Sequence, residues 1–169
     1  MAETNLRAYG VEAKLNKMDV DLITITPTIE TSTIDANDVL FNPTVVNNAV
    51  AVANGRSILQ SICLIDQTDT SVDTGVMIDL VFTQDATVLG SLDAAITGAD
   101  SVLDGILGIV SITNYVDMIN GQIATKNNIG LVLQGATDSK AIYVAGIIRE
   151  AGTARAADAI DIRLGIVKD

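Results

Sequence analysis

The chain has no histidine, no tryptophan, one cysteine and two prolines in 169 residues. Each shortage removes a class of function. Without histidine there is no His-dependent catalytic triad, no imidazole metal ligand and no side chain that ordinarily titrates near neutral pH. A lone cysteine, Cys63, permits no disulfide within the chain, which excludes a disulfide-stapled secreted scaffold. Set in an apolar run, Cys63 is expected as a small buried hydrophobe. Aromatic residues make up only 3%, so the core must be aliphatic and a sugar cleft would lack stacking platforms. The scarcity of proline excludes a stiff, extended linker. Positive charge is also short: 10 Lys and Arg stand against 21 Asp and Glu, a net charge of −11. Direct nucleic-acid binding needs a basic face to displace phosphate counterions, and ten scattered cations do not make one. An anionic membrane is disfavoured for the same reason, and no apolar run approaches the ~18 residues of a membrane helix. No basic stretch followed by an apolar run opens the chain, so no signal peptide is expected. The acidic balance suits solubility or a positively charged partner surface.

What the chain does have is β-branched residues. Val, Ile and Thr supply roughly a third of it, a composition suited to pleated, half-buried strands. Residues 76–83 carry the clearest pattern: Val76, Ile78, Leu80 and Phe82 fall on one face, with Met77, Asp79, Val81 and Thr83 on the other. That alternation marks a strand with one face in the core. Residues 57–65 are apolar on both faces and are expected to be covered on both sides. The polar stretch 66–75 turns the chain between these two. Further strands are expected over 20–26, ended by Pro27, and over 44–53. Asn54 and Gly55 tolerate positive φ and should close a hairpin between 44–53 and 57–65, with 76–83 returning beside it. Residues 28–38 read as irregular or a weak edge, and 85–98 as a connection. A two-turn helix is expected over 99–105, then a buried strand over 106–112. Residues 114–126 read as hairpin-like or irregular around a turn at Asn120 and Gly121. Strands over 129–134, 141–149 and 159–167 close the chain. The second is nearly continuous and so central; the last points Ile160, Ile162, Leu164 and Ile166 inward and Asp161 and Arg163 outward. The fold class is therefore all-β, an antiparallel β-sandwich or jelly-roll-like barrel with one or two short helices. Residues 1–19 form an N-terminal arm or edge strand, and residues 20–169 a single β-domain.

Candidate chemistry is thin. Gly105 and Gly108 lack the downstream Lys and third Gly of a phosphate-binding loop. Asp66, Asp69 and Asp73 group on one loop, but their spacing matches no EF-hand, and a solvated loop tip explains them. Tyr143 reads as a core or interface ring. Arg149, Arg155 and Arg163 have surface ion pairs as their default reading. No convergent set of catalytic groups can be named, so the chain is read as not an enzyme, with no catalytic residues, no metal and no cofactor. A domain this apolar is expected to hide surface in an assembly.

Across nearly the whole chain the order of segments resembles tailed-bacteriophage virion structural proteins of the head decoration, or cement, type. The likeness is carried by RAYGVEAK, TITPTIETSTIDANDVLF, SILQSICLIDQ, GVMIDLVFTQD, ADSVLDGILGIVSI, NNIGLVLQGATDSKAIYVAGIIREAG and IRLGIVKD. The resemblance implies a protein made in the host cytoplasm that binds the capsid exterior. There it reinforces contacts between major capsid protein subunits, often as a homotrimer. The arm around Leu6, Tyr9 and Val11 would then be an interface, reaching a neighbour or adding an edge strand. The alternatives are another virion component, from the tail or adaptor, and a soluble ligand- or carbohydrate-binding β-domain.

Overall fold

The computed structural model describes residues 19–68, 76–97, 103–118, 120–151 and 154–168. Among these residues, nine strands lie in two antiparallel sheets. They are β1 (Asp19–Ile25), β2 (Val39–Val46), β3 (Arg56–Asp66), β4 (Ile78–Thr83), β5 (Ile106–Ile112), β6 (Tyr115–Asp117), β7 (Gln122–Gln134), β8 (Ile142–Ile148) and β9 (Ile160–Lys168). The larger sheet runs β1-β9-β3-β7-β6 and the smaller β2-β8-β4-β5. Set the three-residue β6 aside and renumber, and eight strands divide between two four-stranded sheets of order 1-8-3-6 and 2-7-4-5. That is the strand order of a jelly roll.

The inner faces bury one large aliphatic core, with Phe41 and Phe82 fully enclosed near its centre. Ile160, Ile162, Leu164 and Ile166 point into it from β9, and Ile78, Leu80 and Phe82 from β4, as the alternation requires. Strand β8 is central, paired with β2 on one side and β4 on the other. Pro43 lies within β2, in the register shift between Phe41 and Thr44 against β8, where a missing N–H is tolerated.

Three expectations are corrected. First, residues 44–53 and 57–65 do not form a hairpin, and 76–83 does not return beside it. Strand β2 pairs with β8, β3 pairs with β7 and β9, and β4 pairs with β5 and β8. Asn54 does adopt positive φ, at 57°, so the chain reverses there. The reversal carries it across to the other sheet, because the inner faces of β2 and β3 bury by facing each other across the core.

Second, β3 is not covered on both sides. It looks apolar on both faces because a bulge at Gln60 changes the parity of its side chains: Ser57 and Leu59 point inward before it, Ile62, Leu64 and Asp66 after it. Cys63 consequently lies on the outer face, half-buried rather than enclosed. On the β7 side the same bulge is matched by Asn128 and Gly130, with φ of 57° and 71°. Third, the strand expected over 129–134 is the end of β7, thirteen residues long. It absorbs much of the 114–126 segment, whose turn at Asn120 and Gly121 does join β6 to β7. Of the expected helix, only Leu103, Asp104 and Gly105 are described; Leu103 and Asp104 are helical.

Candidate assembly surface

The outer faces of the two sheets differ. On the smaller sheet, Val39, Val81, Ala145 and Ile147 point away from the core, and the connection after β4 folds over them with Leu89 and Leu92. It is held at the sheet edge by backbone bonds from Val39 N to Ala94 O (3.0 Å) and from Asp93 N to Val39 O (3.1 Å). This roof explains why β4, amphipathic by pattern, is buried along its whole length.

The larger sheet has no such roof among the described residues. Its register places Val20 of β1, Val167 of β9, Ile58 of β3 and Val132 of β7 side by side in one outward row. Val20 is 68% exposed, Ile58 41% and Val132 52%. Leu22, 70% exposed, lies next along β1 opposite Gly165. One more outward step along β9 stands Arg163, exposed, flanked by Thr24 and Cys63 in register, with Thr125 beyond Cys63. Arg163 makes no ion pair among the described residues, unlike the other two candidate arginines.

Those two are structural. Arg149 Nε donates to Asp79 Oδ2 at 2.7 Å and its Nη1 to Asn37 Oδ1 at 3.1 Å. Arg155 Nε donates to Asp66 Oδ2 at 3.1 Å, and both side chains are almost fully enclosed. The same carboxylate accepts from the Thr68 backbone N–H (3.0 Å) and from Gln122 Nε2 (3.4 Å). Asp66 therefore ties the end of β3 to β7 and to the connection between β8 and β9, instead of sitting at a solvated loop tip. Asp69 and Asp73 lie outside the described residues, as do Leu6, Tyr9 and Val11. No group of three or more His, Cys, Asp or Glu side chains placed to hold a metal occurs among the described residues. Tyr143 is half-buried on the outward side of β8, in register with Val45. The apolar row was missed from sequence because no single strand announces it; it exists only once the register of four strands is known.

Tyr115 packs against the core beside the Asp66–Arg155 pair. Burial pushes its phenol well above the ordinary 10; the Asp66 carboxylate adds to this and the Arg155 guanidinium opposes it. The folded state thus holds this proton more tightly than the unfolded chain. The resulting stability is complete below pH ~10 and is lost as pH rises through the folded value. In an alkaline absorbance titration, Tyr115 is expected to ionise only together with unfolding, and Tyr115→Phe to remove that step. If Tyr115→Phe, with the fold intact, loses no late step, this placement is contradicted.

No protein-family model matches the sequence, and no curated protein matches it. Among solved structures, a chain from the capsid of Ralstonia phage GP4 aligns at 16% identity with a TM-score of 0.43, covering 91% of this chain and 86% of that one. A chain from Maize chlorotic mottle virus aligns at 10% identity and TM-score 0.32, covering 86% and 92%. One from Desmodium yellow mottle tymovirus aligns at 15% and 0.27, covering 90% and 87%. These likenesses are distant, and the fold assignment rests on the strand order.

Proposed function

We propose that this protein is a bacteriophage head decoration protein. It binds the outer surface of the assembled head as a homotrimer and reinforces contacts between major capsid protein subunits, with the arm around Leu6, Tyr9 and Val11 gripping a neighbour. The observation that carries this reading is the jelly-roll strand order, an architecture used by viral capsid domains, lectins and cupins. Fold alone does not choose among these, so the side chains must. The metal site of a histidine-ligated cupin cannot be built without histidine. A lectin-like groove is disfavoured by the five aromatic rings in the chain, two of them the fully buried Phe41 and Phe82. A rigid aliphatic block with an apolar row on one sheet face that no described residue covers suits repeated, modest contacts on a symmetric shell. The resemblance of the sequence to decoration proteins points the same way.

The test is co-sedimentation with heads purified from the same phage lacking this protein. The full chain is expected to bind at saturable, symmetric positions, and removal of residues 1–14 to weaken binding at least about tenfold, or ~1.4 kcal/mol. Unchanged affinity after truncation would refute the role of the arm. Labelled particles decorated on the tail instead of the head would refute the decoration reading in favour of a tail component.

A further inference from the structure

We infer that the outer face of the five-stranded sheet is the side laid against the head, with Val20, Leu22, Ile58, Val132 and Arg163 making the contact. This rests on the decoration reading and adds to it a docking face and the chemistry of its partner. Three observations support it. The first is the asymmetry of the sandwich: the smaller sheet covers Val39, Val81, Ala145 and Ile147 with its own chain and leaves Val45 and Ile109 exposed on separate strands, whereas no described residue roofs the contiguous four-strand row of the larger sheet.

The second is area. The row's four partly exposed aliphatic side chains, together with Leu22, offer on the order of 400 Å² of apolar surface, no more than the largest patch of an ordinary monomer. That is about half of the ~800 Å² per side that a stable soluble pair requires. A single such contact is weak. It becomes effective when its partner is a fixed lattice that also engages other parts of the molecule, so that each contact raises the effective concentration of the next. A free second copy offers no such gain.

The third is charge. In a chain of net charge −11, this face carries an exposed arginine with no ion-pair partner among the described residues. Arg163 stands four residues from Val167, roughly 13 Å along β9 at the usual rise per residue. Between them lies Gly165, which puts no side chain on the surface. Arginine is a frequent anchor in interface centres, where its planar fork accommodates a carboxylate. The partner surface is thus an aliphatic strip about 14 Å across, matching four strands at their ordinary spacing. A carboxylate is set about 13 Å to one side of that strip.

The experiment compares the full chain with Leu22→Glu, Ile58→Glu and Arg163→Glu, and with Ile109→Glu on the smaller sheet as control. Each is measured for binding to heads lacking the protein, for solution mass by light scattering and for thermal melting. Leu22 at 70% exposure and Ile109 at 52% are substitutions the fold tolerates. Leu22→Glu and Arg163→Glu are each expected to weaken binding at least tenfold with mass and melting unchanged, while Ile109→Glu binds as the original. If the original protein fails to bind heads, both the decoration reading and this inference fall. If it binds and the Leu22, Ile58 and Arg163 variants bind equally well, only the assignment of the face falls. A change in solution mass on replacing Leu22 or Ile58 would give the face to a second copy, and loss of binding by Ile109→Glu would show the effect to be unspecific; either overturns the inference.

Discussion

Replacing Asp66 with Ala is expected to destabilise the protein by about 3–5 kcal/mol, the usual result of removing one member of a buried ion pair. The loss arises because Arg155 stays charged and enclosed without the Asp66 carboxylate. The Thr68 backbone N–H and Gln122 Nε2 lose an acceptor in the same step. For a chain of this size each kcal/mol lowers the melting temperature by about 2–4 °C. Urea unfolding should show a lower midpoint with an unchanged slope, since the folded core stays compact. Replacing both partners, as in Asp66→Leu with Arg155→Met, is expected to restore much of the loss, because no buried charge is left over. Arg149→Ala breaks a pair in which the arginine is 27% exposed, and it should cost less. A loss below about 1 kcal/mol for Asp66→Ala would mean that the pair is open to water.

The second large effect concerns Phe41 and Gly146. Phe41 is fully buried, and its ring lies over the backbone of Gly146 on the neighbouring strand β8. A methyl group at position 146 would fall well inside contact distance of the ring. Phe41→Ala is expected to cost about 3–5 kcal/mol through the cavity it leaves. Gly146→Ala is expected to cost about 1–3 kcal/mol by forcing the ring off its packed position. The two losses share one space, so they should not add: Phe41→Leu combined with Gly146→Ala is expected to be more stable than the sum of the single changes allows. Strict additivity in a denaturation cycle would show that ring and glycine do not press on each other.

Much of this architecture is legible in the residues. The inward sides of β4 and β9, the centrality of β8 and the break of β1 before Pro27 all follow from alternation and from proline's missing donor. The errors share one cause. The Asn54 turn announces a reversal but not which sheet receives the strand that follows. The bulge at Gln60 switches the inward parity of β3, so a half-exposed strand reads as one buried on both faces. Cys63 was misplaced by that same switch. Asp66 looked like part of a solvated loop because its partner Arg155 lies 89 residues away along the chain. Leu6, Tyr9 and Val11 lie outside the described residues, and their role stays with the proposed function.

By itself the sequence determined the β class, the aliphatic core and the chemistry that is out of reach without histidine. These depend on composition and on neighbours two residues apart, which a linear reading sees directly. Only the tertiary structure decided which strands pair, which sheet face is roofed, and that four residues from four strands form one apolar row. Pairing is set by burying the inner faces of both sheets together, a requirement shared by the whole chain and visible at no single position.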